Sequence, residues 1–164
     1  RSLLLENIQK ALLKQHSSHH YAALIFIDLD RFKALNDQYG HDMGDMLLIH
    51  VAKRLVESIR HSDTAARLGG DEFVILLENL GSSYDQAYGQ TKNVAHKILS
   101  YLCEPYELLN ITYSVEASLG CTLFSHNANK DAQTLLKEAD NAMYEAKSSE
   151  DSHIHFWENS PKNM

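Results

Sequence analysis

The fold of this chain is decided by residues 64–77, TAARLGGDEFVILL, in which two glycines interrupt a run of strand-forming residues. Segments 64–68 and 72–77 have the composition of short strands, and glycines between such segments predict a β-hairpin with a tight turn. Directly after the glycines stand Asp71 and Glu72. A plain type I′ turn accounts for Gly69-Gly70 alone, but it gives no reason for two consecutive acids at the tip.

Outward from the hairpin, the periodicity of apolar residues predicts five helices and six strands. The expected helices cover 2–16, 30–38, 43–60, 84–101 and 131–148. The expected strands cover 21–27, 64–68, 72–77, 106–110, 112–124 and 153–157. This order predicts the α/β class in the form of an α+β sandwich, a sheet with helices packed on one or both faces.

The composition is that of one globular domain, with 164 residues of which 44% are hydrophobic and 23% charged, so we interpret 1–164 as a single domain. The formal net charge of −7 argues against nucleic acid as a partner, because nucleic-acid binding needs basic surfaces. No apolar run is long enough to span a bilayer, and the N-terminus lacks a signal-peptide pattern. We therefore expect a cytoplasmic domain without direct membrane insertion.

Two acidic clusters stand at the ends of predicted strands. Asp28 and Asp30 follow the apolar strand at 21–27, and Asp71 and Glu72 stand at the hairpin tip. If these strands are neighbours, the carboxylates converge at one edge of the sheet and raise each other's pKa until a cation neutralises them. Mg²⁺ prefers such oxygen ligands and shares them with substrate phosphates, so the pattern indicates metal-dependent phosphoryl chemistry. The alternative is that these acids are solvated or cap a helix, as Asp30 could do for the helix that follows it.

Four blocks of the sequence resemble those of the GGDEF family of diguanylate cyclases. The hairpin block RLGGDEF at 67–73 is similar to the family signature, and the other blocks are DLDRFKALND at 28–37, YGHDMGD at 39–45 and ADNAMYEAK at 139–147. They occur in the family's order and spacing, over nearly the whole chain. The resemblance implies a central, mainly antiparallel sheet flanked by helices, similar to the palm of nucleotide polymerases and class III adenylyl cyclases.

The resemblance implies catalytic and metal-binding roles for five residues. Asp28 and Asp71 would hold Mg²⁺ or Mn²⁺ together with the backbone carbonyl of Leu29. Asp71 would also be the catalytic acid of the signature, and Glu72 the second required acid. Lys33 would offer a point charge to the triphosphate. Without the surrounding block, Lys33 would be interpreted as a solvent-exposed residue of a short helix.

Further residues would bind the substrate if the resemblance holds. The backbone around Arg31 and Phe32 would face the triphosphate, as would Lys147, and Asn36 and Asp45 would read the guanine edge. A carboxylate accepts hydrogen bonds from guanine N1–H and N2–H₂, and adenine lacks this donor pair. The alternatives are that Asn36 is exposed on its short helix and that Asp45 is a favourable charge at a helix N-terminus.

The family condenses two GTP molecules into cyclic di-GMP and two pyrophosphates, as a homodimer with one GTP in each domain. The resemblance therefore implies a diguanylate cyclase, a nucleotidyltransferase that is inactive as an isolated monomer. The alternative is a weakly active or inactive GGDEF domain that binds GTP or cyclic di-GMP and regulates a neighbouring domain. A structural or partner-binding domain without nucleotide fits the composition but leaves the four blocks unexplained.

Arg60 and Asp63 match the Arg-x-x-Asp product-inhibition site of many family members, so we expect cyclic di-GMP to bind there. Arginine can fork onto a guanine or a phosphate, and aspartate can accept hydrogen bonds from a guanine edge. The alternative is a surface ion pair at the end of the helix predicted over 43–60, where Arg60 would also suit the helix dipole.

The chain departs from the family pattern in two places. Asp151 stands where the family has a phosphate-contacting arginine, which predicts weaker GTP binding or a greater reliance on metal, and leaves Lys147 alone on that side of the triphosphate. The segment that usually precedes the family's first helix is missing before Arg1, which indicates a piece of a longer protein. We expect an upstream sensory domain in a parent that can be membrane-anchored. The pattern around 76–80 is similar to that of proteins with a downstream EAL phosphodiesterase domain.

Overall fold

A computed structural model describes residues 1–125 and 129–158, without the side chains of residues 15–18. The last residues of the predicted domain, 159–164, lie outside this range. The elements, in chain order, are α1 (Ser2–Ser18), β1 (Ala22–Leu29), α2 (Phe32–Tyr39), α3 (His41–Glu57), β2 (Thr64–Gly69), β3 (Glu72–Leu77), α4 (Tyr84–Leu102), β4 (Tyr106–Leu108), β5 (Ile111–Tyr113), β6 (Ala117–Phe124), α5 (Ala132–Ser148) and β7 (Ile154–Phe156).

The main sheet has five strands in the order β2-β3-β1-β6-β7, and β4 and β5 form a separate two-stranded sheet. β1 pairs antiparallel with both β3 and β6 at the centre, while β6 and β7 run parallel. A parallel pair needs a crossover connection, and α5 supplies it. The expectation of a mainly antiparallel sheet flanked by helices is confirmed.

One predicted strand, 112–124, is wrong because it is two strands. β5 pairs with β4, whereas β6 pairs with β1, so a single straight strand could not serve both sheets. The chain changes direction between Tyr113 and Ala117, where the carbonyl of Glu116 accepts a hydrogen bond from the backbone N–H of Asp30 at 2.8 Å. Alternation of side chains continues across this break, which is why periodicity did not detect it.

Alternation along the central strands builds two cores, one on each face of the sheet. Leu24 and Phe26 of β1 face α1 and α5, in a cluster with Ile8 and Leu135. Ile25 and Ile27 face the other side and pack in a cluster that includes residues of α3 and α4. The sheet is therefore covered on both faces, and the two acidic clusters lie where β1 ends and β3 begins.

Helix α3 differs from its predicted range of 43–60 because it begins at His41 and ends at Glu57. Its first turn therefore carries Asp42 as its acidic residue, and Asp45 lies one turn further on. Arg54 holds the helix in place by donating hydrogen bonds to the carbonyls of Tyr101, Glu104 and Pro105, at 2.9, 2.6 and 2.7 Å. No helix in the described part of the chain is long and apolar enough to cross a membrane.

Candidate active site

The carboxylates of the two acidic clusters lie together at one end of the central strands. Asp28, at the end of β1, is directly opposite Glu72, the first residue of β3. The N–H of Leu29 donates to the carbonyl of Asp71 at 3.2 Å, which fixes the hairpin tip against β1. The predicted neighbourhood of these strands is therefore present, and it places Asp28, Asp71 and Glu72 in one cluster.

The turn of the hairpin is one residue later than predicted. Gly69 is still paired, opposite Glu72, so the turn consists of Gly70 and Asp71. Gly70 has a positive φ of 51°, whereas Asp71 does not have a positive φ. A type I′ turn needs positive φ at both positions, so this turn is of another type. The shift puts the carboxylate of Asp71 on the turn itself, beside the end of β1.

Crowding of the carboxylates changes their acidity. Partial burial, followed by the charge of Asp28, raises the pKa of Asp71 to about 6. The pKa of Glu72 is also raised, by burial first and then by the charges of Asp140 and Asp28. These shifts are the expected signature of anionic groups that share a site with too few cations.

Lys147 reaches this cluster from the last turn of α5. Its ammonium donates to Asp28 Oδ2 at 2.6 Å, and this hydrogen bond raises the pKa of the lysine. Asp140, two helical turns earlier, has a raised pKa because of partial burial and the charge of Asp28. The sequence interpretation missed Asp140, although its seven-residue spacing from Lys147 places both on one face of a helix.

The cluster fits a divalent ion of the magnesium type. Asp28 Oδ1 is buried and has no hydrogen-bond partner among the described residues, and an unsatisfied buried carboxylate oxygen is costly unless a cation takes it up. In the described ranges, no three His, Cys, Asp or Glu side chains are grouped so that they could hold a metal. Mg²⁺ does not need such a cage, because it keeps waters and substrate phosphates and uses one or two carboxylates.

The segment after β1 turns sharply toward α2. Arg31 has a φ of 60°, in the left-handed region that residues other than glycine rarely adopt, and α2 begins at Phe32. Lys33 is exposed, as the alternative interpretation had it, and so is accessible to a ligand. Asp30 does not cap α2, because its carboxylate instead accepts a hydrogen bond from the Ser118 hydroxyl at 3.2 Å.

Helices α2 and α3 meet at Asn36 and Gly44. The side chain of Asn36 is half-buried rather than fully exposed, and its Oδ1 atom is buried without a hydrogen-bond partner among the described residues. Asp45, next to Gly44, is exposed. Polar atoms that are buried and unpartnered are rare in folded proteins, so the Asn36 amide is a suitable recognition group for a ligand.

Arg60 and Asp63 form a second polar site, away from the acidic cluster. Arg60 Nε is 3.3 Å from Asp63 Oδ2, and the two side chains are 52% and 2% exposed. Asp63 also accepts hydrogen bonds from the N–H groups of Arg60 and Glu78, at 3.0 and 3.2 Å. The ion pair of the alternative interpretation is therefore present, but Arg60 lies in the loop after α3 rather than in the helix, because α3 ends at Glu57.

A cavity of 370 Å³ opens beside this ion pair. Its polar lining consists of Ser58, Arg60 and Asp63 together with three residues of α4, namely Gln90, Asn93 and Lys97. Sequence reasoning missed the three α4 residues, because they are separated from Asp63 by a whole hairpin. The site therefore combines two cationic groups, a carboxylate and two amides around one space.

A family model described as diguanylate cyclase, GGDEF domain, matches residues 1–153. The chain belongs to the GGDEF family. Among its relatives, MucR of Pseudomonas aeruginosa, a bifunctional diguanylate cyclase/cyclic di-GMP phosphodiesterase, is 40% identical over 150 residues, which cover 90% of this chain and 20% of MucR. The diguanylate cyclase TpbB of the same species is 38% identical, over 85% of this chain and 31% of TpbB.

Solved GGDEF domains have the same fold. The crystal structure of the TpbB GGDEF domain has a TM-score of 0.88 and 34% identity, covering 98% of this chain and 96% of that one. The active GGEEF domain of a diguanylate cyclase from Vibrio cholerae has a TM-score of 0.81 and 27% identity, covering 98% and 97%. The chain spans less than a third of the length of MucR and TpbB, so it corresponds to one domain of these larger proteins.

Proposed function

We propose that this GGDEF domain is one half of a diguanylate cyclase site that binds one GTP and a divalent metal. The observation that carries the proposal is the convergence of Asp28, Asp71 and Glu72 at the β1–β3 edge, with the Lys147 ammonium 2.6 Å from Asp28. Raised pKa values at Asp71 and Glu72 support it, because folded proteins seldom collect unneutralised acids without a function.

Asp28, Asp71 and the Leu29 carbonyl would hold Mg²⁺ or Mn²⁺. When bound, such an ion polarises the phosphorus centre and lowers the pKa of an attacking hydroxyl. The residues themselves supply the oxygen ligands and the position: β1 fixes Asp28, and the hydrogen bond from Leu29 to Asp71 fixes the turn. The orphaned Asp28 Oδ1 atom supports this choice of ligand.

GTP would lie across α2 with its two ends held by different groups. Lys33, Lys147 and the backbone around Arg31 and Phe32 would bind the triphosphate, since ammonium groups and backbone N–H groups are phosphate ligands. At the other end, the Asn36 amide and the exposed carboxylate of Asp45 would bind the guanine edge. Both groups lie at the α2–α3 junction, because Gly44, the residue before Asp45, packs against the Asn36 amide.

The reaction needs a second copy of the domain. In a homodimer with the two sites face to face, the 3′-hydroxyl oxygen of one GTP bonds to the α-phosphorus of the other. The bond from that phosphorus to the bridging oxygen breaks, and pyrophosphate leaves; the second hydroxyl then repeats the step and closes cyclic di-GMP. Glu72 would accept the hydroxyl proton, and its raised pKa would make it a stronger base than an ordinary glutamate.

Incubation of the full-length parent with GTP and Mg²⁺, followed by chromatography, tests the proposal. Cyclic di-GMP and pyrophosphate should form, and Asp71→Asn and Glu72→Gln should each lower the rate by at least about a hundredfold, as is typical for loss of such groups. Asp85→Asn is the matched control, because Asp85 is an exposed acid in the first turn of α4. Equal rates for Asp71→Asn and Asp85→Asn would overturn the assignment.

A second candidate function is regulation by bound nucleotide with little or no turnover. Asp151 favours it, because an anion after α5, where the family pattern has a cation, opposes triphosphate binding. The cavity beside Arg60 and Asp63 would then bind cyclic di-GMP, whose phosphates suit Arg60 and Lys97 and whose guanines suit Asp63. GTP or cyclic di-GMP binding without product formation in the incubation above would select this function.

We also infer a multidomain parent. The chain covers only 20% of MucR, whose name includes a cyclic di-GMP phosphodiesterase activity, and it is 35% identical over 132 residues to the cyclic di-GMP phosphodiesterase PdeR of Escherichia coli. An upstream sensory domain and a downstream EAL phosphodiesterase domain are therefore the expected neighbours. The coding sequence on either side of this segment decides the point.

A further inference from the structure

The two carboxylate oxygens of Asp28 have different surroundings. Asp28 Oδ2 accepts the hydrogen bond from Lys147 at 2.6 Å. Its second oxygen, Oδ1, is buried and has no hydrogen-bond partner in the ranges that the structure describes. One oxygen of Asp28 thus accepts a hydrogen bond from an ammonium, while the other has no donor among the described residues. This is the arrangement expected when a single cation occupies half of a carboxylate's cation-binding capacity.

The two partners of this ion pair differ in exposure to solvent. Asp28 belongs to the central strand, and its side chain is only 11% exposed. Lys147 lies in the last turn of α5 with a side chain that is 45% exposed, on a flexible four-carbon stem. The carboxylate is therefore buried on a central strand, while the ammonium lies on a side chain that is partly exposed to solvent.

We propose that Lys147 is an exchangeable internal cation, which holds Asp28 until a divalent ion binds and then moves to the triphosphate of GTP. The proposal deepens the function given above and rests on it. A divalent ion bound through Asp28 would lie within a few ångströms of the ammonium, and two positive charges at that distance repel strongly in a partly buried site. The ammonium must therefore leave Asp28, and the β- and γ-phosphates are the nearest anions that GTP would bring.

Asp151 makes this exchange more important in this chain. Asp151 is an anion at the position after α5 where a cation would help to hold phosphate. Residue 151 therefore cannot assist Lys147 in neutralising the triphosphate. The same ammonium would have to neutralise Asp28 without nucleotide and the triphosphate with it. Removal of Lys147 should therefore have opposite effects on the two ligands: tighter binding of the metal alone, and weaker binding of the nucleotide.

Binding of Mn²⁺ without nucleotide, measured by calorimetry on the wild type and Lys147→Met, tests the first effect. We expect Mn²⁺ affinity to rise about tenfold, which is the scale of one hydrogen bond to a charged group. Lys92→Met is the matched control, because Lys92 is an exposed lysine of α4, outside the acidic cluster. It should change Mn²⁺ affinity by less than about twofold, the scale of an exposed charge.

The second effect is measured with Mg²⁺ and a GTP analogue whose α and β phosphorus atoms are joined by methylene. Its affinity should fall about tenfold in Lys147→Met and recover in Lys147→Arg. A fall of both affinities would mean that Lys147 only positions Asp28, and no change in either would mean that it does nothing; each result overturns the proposal. Thermal unfolding of each variant checks that it is folded.

A spectroscopic readout on the unmodified protein makes the test independent of the variants. The ¹⁵N-edited NMR signal of the Lys147 ammonium, assigned with Lys147→Arg, should shift when Mg²⁺ alone is added. An unchanged signal at saturating Mg²⁺ would overturn the exchange. None of the metal-binding experiments depends on GTP turnover. A parent protein that makes no cyclic di-GMP would therefore contradict the proposed function, while the effect of Lys147 on metal affinity could still be measured.

Discussion

Asn36 and Gly44 lie so close across the α2–α3 junction that a methyl carbon on residue 44 would be 1.8 Å from Asn36 Oδ1. A contact below 3.0 Å cannot be accommodated without movement. Because residue 44 has no side chain, the Asn36 amide can pack directly against the backbone of Gly44. Gly44 is the residue before Asp45, so the Asn36 amide lies next to the start of the Asp45 segment.

Gly44→Ala should weaken GTP binding by displacing Asn36. We expect GTP affinity to fall at least about tenfold, the scale of one lost hydrogen bond to the base, and the free energy of unfolding to fall by about 1–3 kcal/mol through overpacking. Fluorescent GTP titration and urea unfolding measure the two effects. Gly89→Ala is the control, because a Cβ there meets nothing within 4 Å, and this helical glycine should gain stability.

The double variant Asn36→Ala, Gly44→Ala separates packing from recognition. Removal of the Asn36 amide should restore most of the unfolding free energy lost in Gly44→Ala, since the two shortest contacts are with that amide and only the 3.2 Å contact with Phe32 Cζ remains. It should not restore GTP affinity. Recovery of affinity in the double variant would show that Asn36 does not bind the base.

Arg60 and Asp63 should respond differently to substitution, because one is exposed and the other buried. Arg60→Ala should raise the dissociation constant of cyclic di-GMP about tenfold and change the unfolding free energy by less than about 1 kcal/mol. Asp63→Ala should weaken binding and also cost about 2 kcal/mol or more of stability, because it leaves the N–H groups of Arg60 and Glu78 without an acceptor.

Lysines of α4 give a matched pair for the same site. Lys97 lines the cavity beside Arg60, whereas the exposed Lys92 is not one of its lining residues. Lys97→Met should weaken cyclic di-GMP binding several-fold, and Lys92→Met should not. The salt dependence of binding should decrease in the first variant only. Equal binding by both variants would exclude the cavity as the product site.

Asp151→Arg should strengthen GTP binding by replacing an anion with a phosphate ligand. We expect an increase in affinity of about three- to tenfold, within the range of partly exposed charge pairs. Glu150→Arg is the matched control, because it makes the same change of charge at the exposed neighbouring position. Calorimetric titration with GTP and Mg²⁺ compares the two. Unchanged affinity in Asp151→Arg would mean that this position does not face the triphosphate.

The local pattern of apolar residues was sufficient to predict most of the helices and strands. It failed where the structure depends on which strands, distant in sequence, pair with each other. Helix α5 and strand β1 are close to their predicted ranges, because buried apolar residues at a regular period leave little choice. The division of 112–124 into β5 and β6, and the position of the turn at Gly70-Asp71, depend on which strand each residue pairs with. Neither the pairing of β5 with β4 nor that of Gly69 with Glu72 changes the local periodicity of apolar residues, so neither could be predicted from it.

In the candidate site, too, the sequence was sufficient to identify residues but not the contacts that they make across long sequence separations. Asp28, Asp71 and Glu72 were predicted to converge because strand ends and a hairpin tip are readable features of sequence. The ion pair between Lys147 and Asp28 joins residues 119 positions apart, and it requires the crossover of α5 to be known. Asp140 was missed for the same reason, since its charge matters only after α5 is placed against the sheet.

The acidity of Asp71 predicts how stability depends on pH in the absence of divalent metal. The pKa of Asp71 is about 6 in the folded protein and 3.8 for an unperturbed aspartate, so between these values the folded state binds more protons than the unfolded state. By linkage, the free energy of unfolding then falls as pH rises from about 4 to about 6. The raised pKa values of Glu72 and Asp140 act in the same direction.

Urea unfolding in a chelating buffer measures this slope. Asp71→Asn cannot titrate at that position, so its unfolding free energy should fall less over the same pH range and exceed that of the wild type at neutral pH. Addition of Mn²⁺ should raise the stability of the wild type above about pH 6, because a metal ligand must be deprotonated, and should have a smaller effect on Asp71→Asn. A wild-type stability that rises from pH 4 to pH 6 in the chelating buffer would contradict the crowding of acids at the β1–β3 edge.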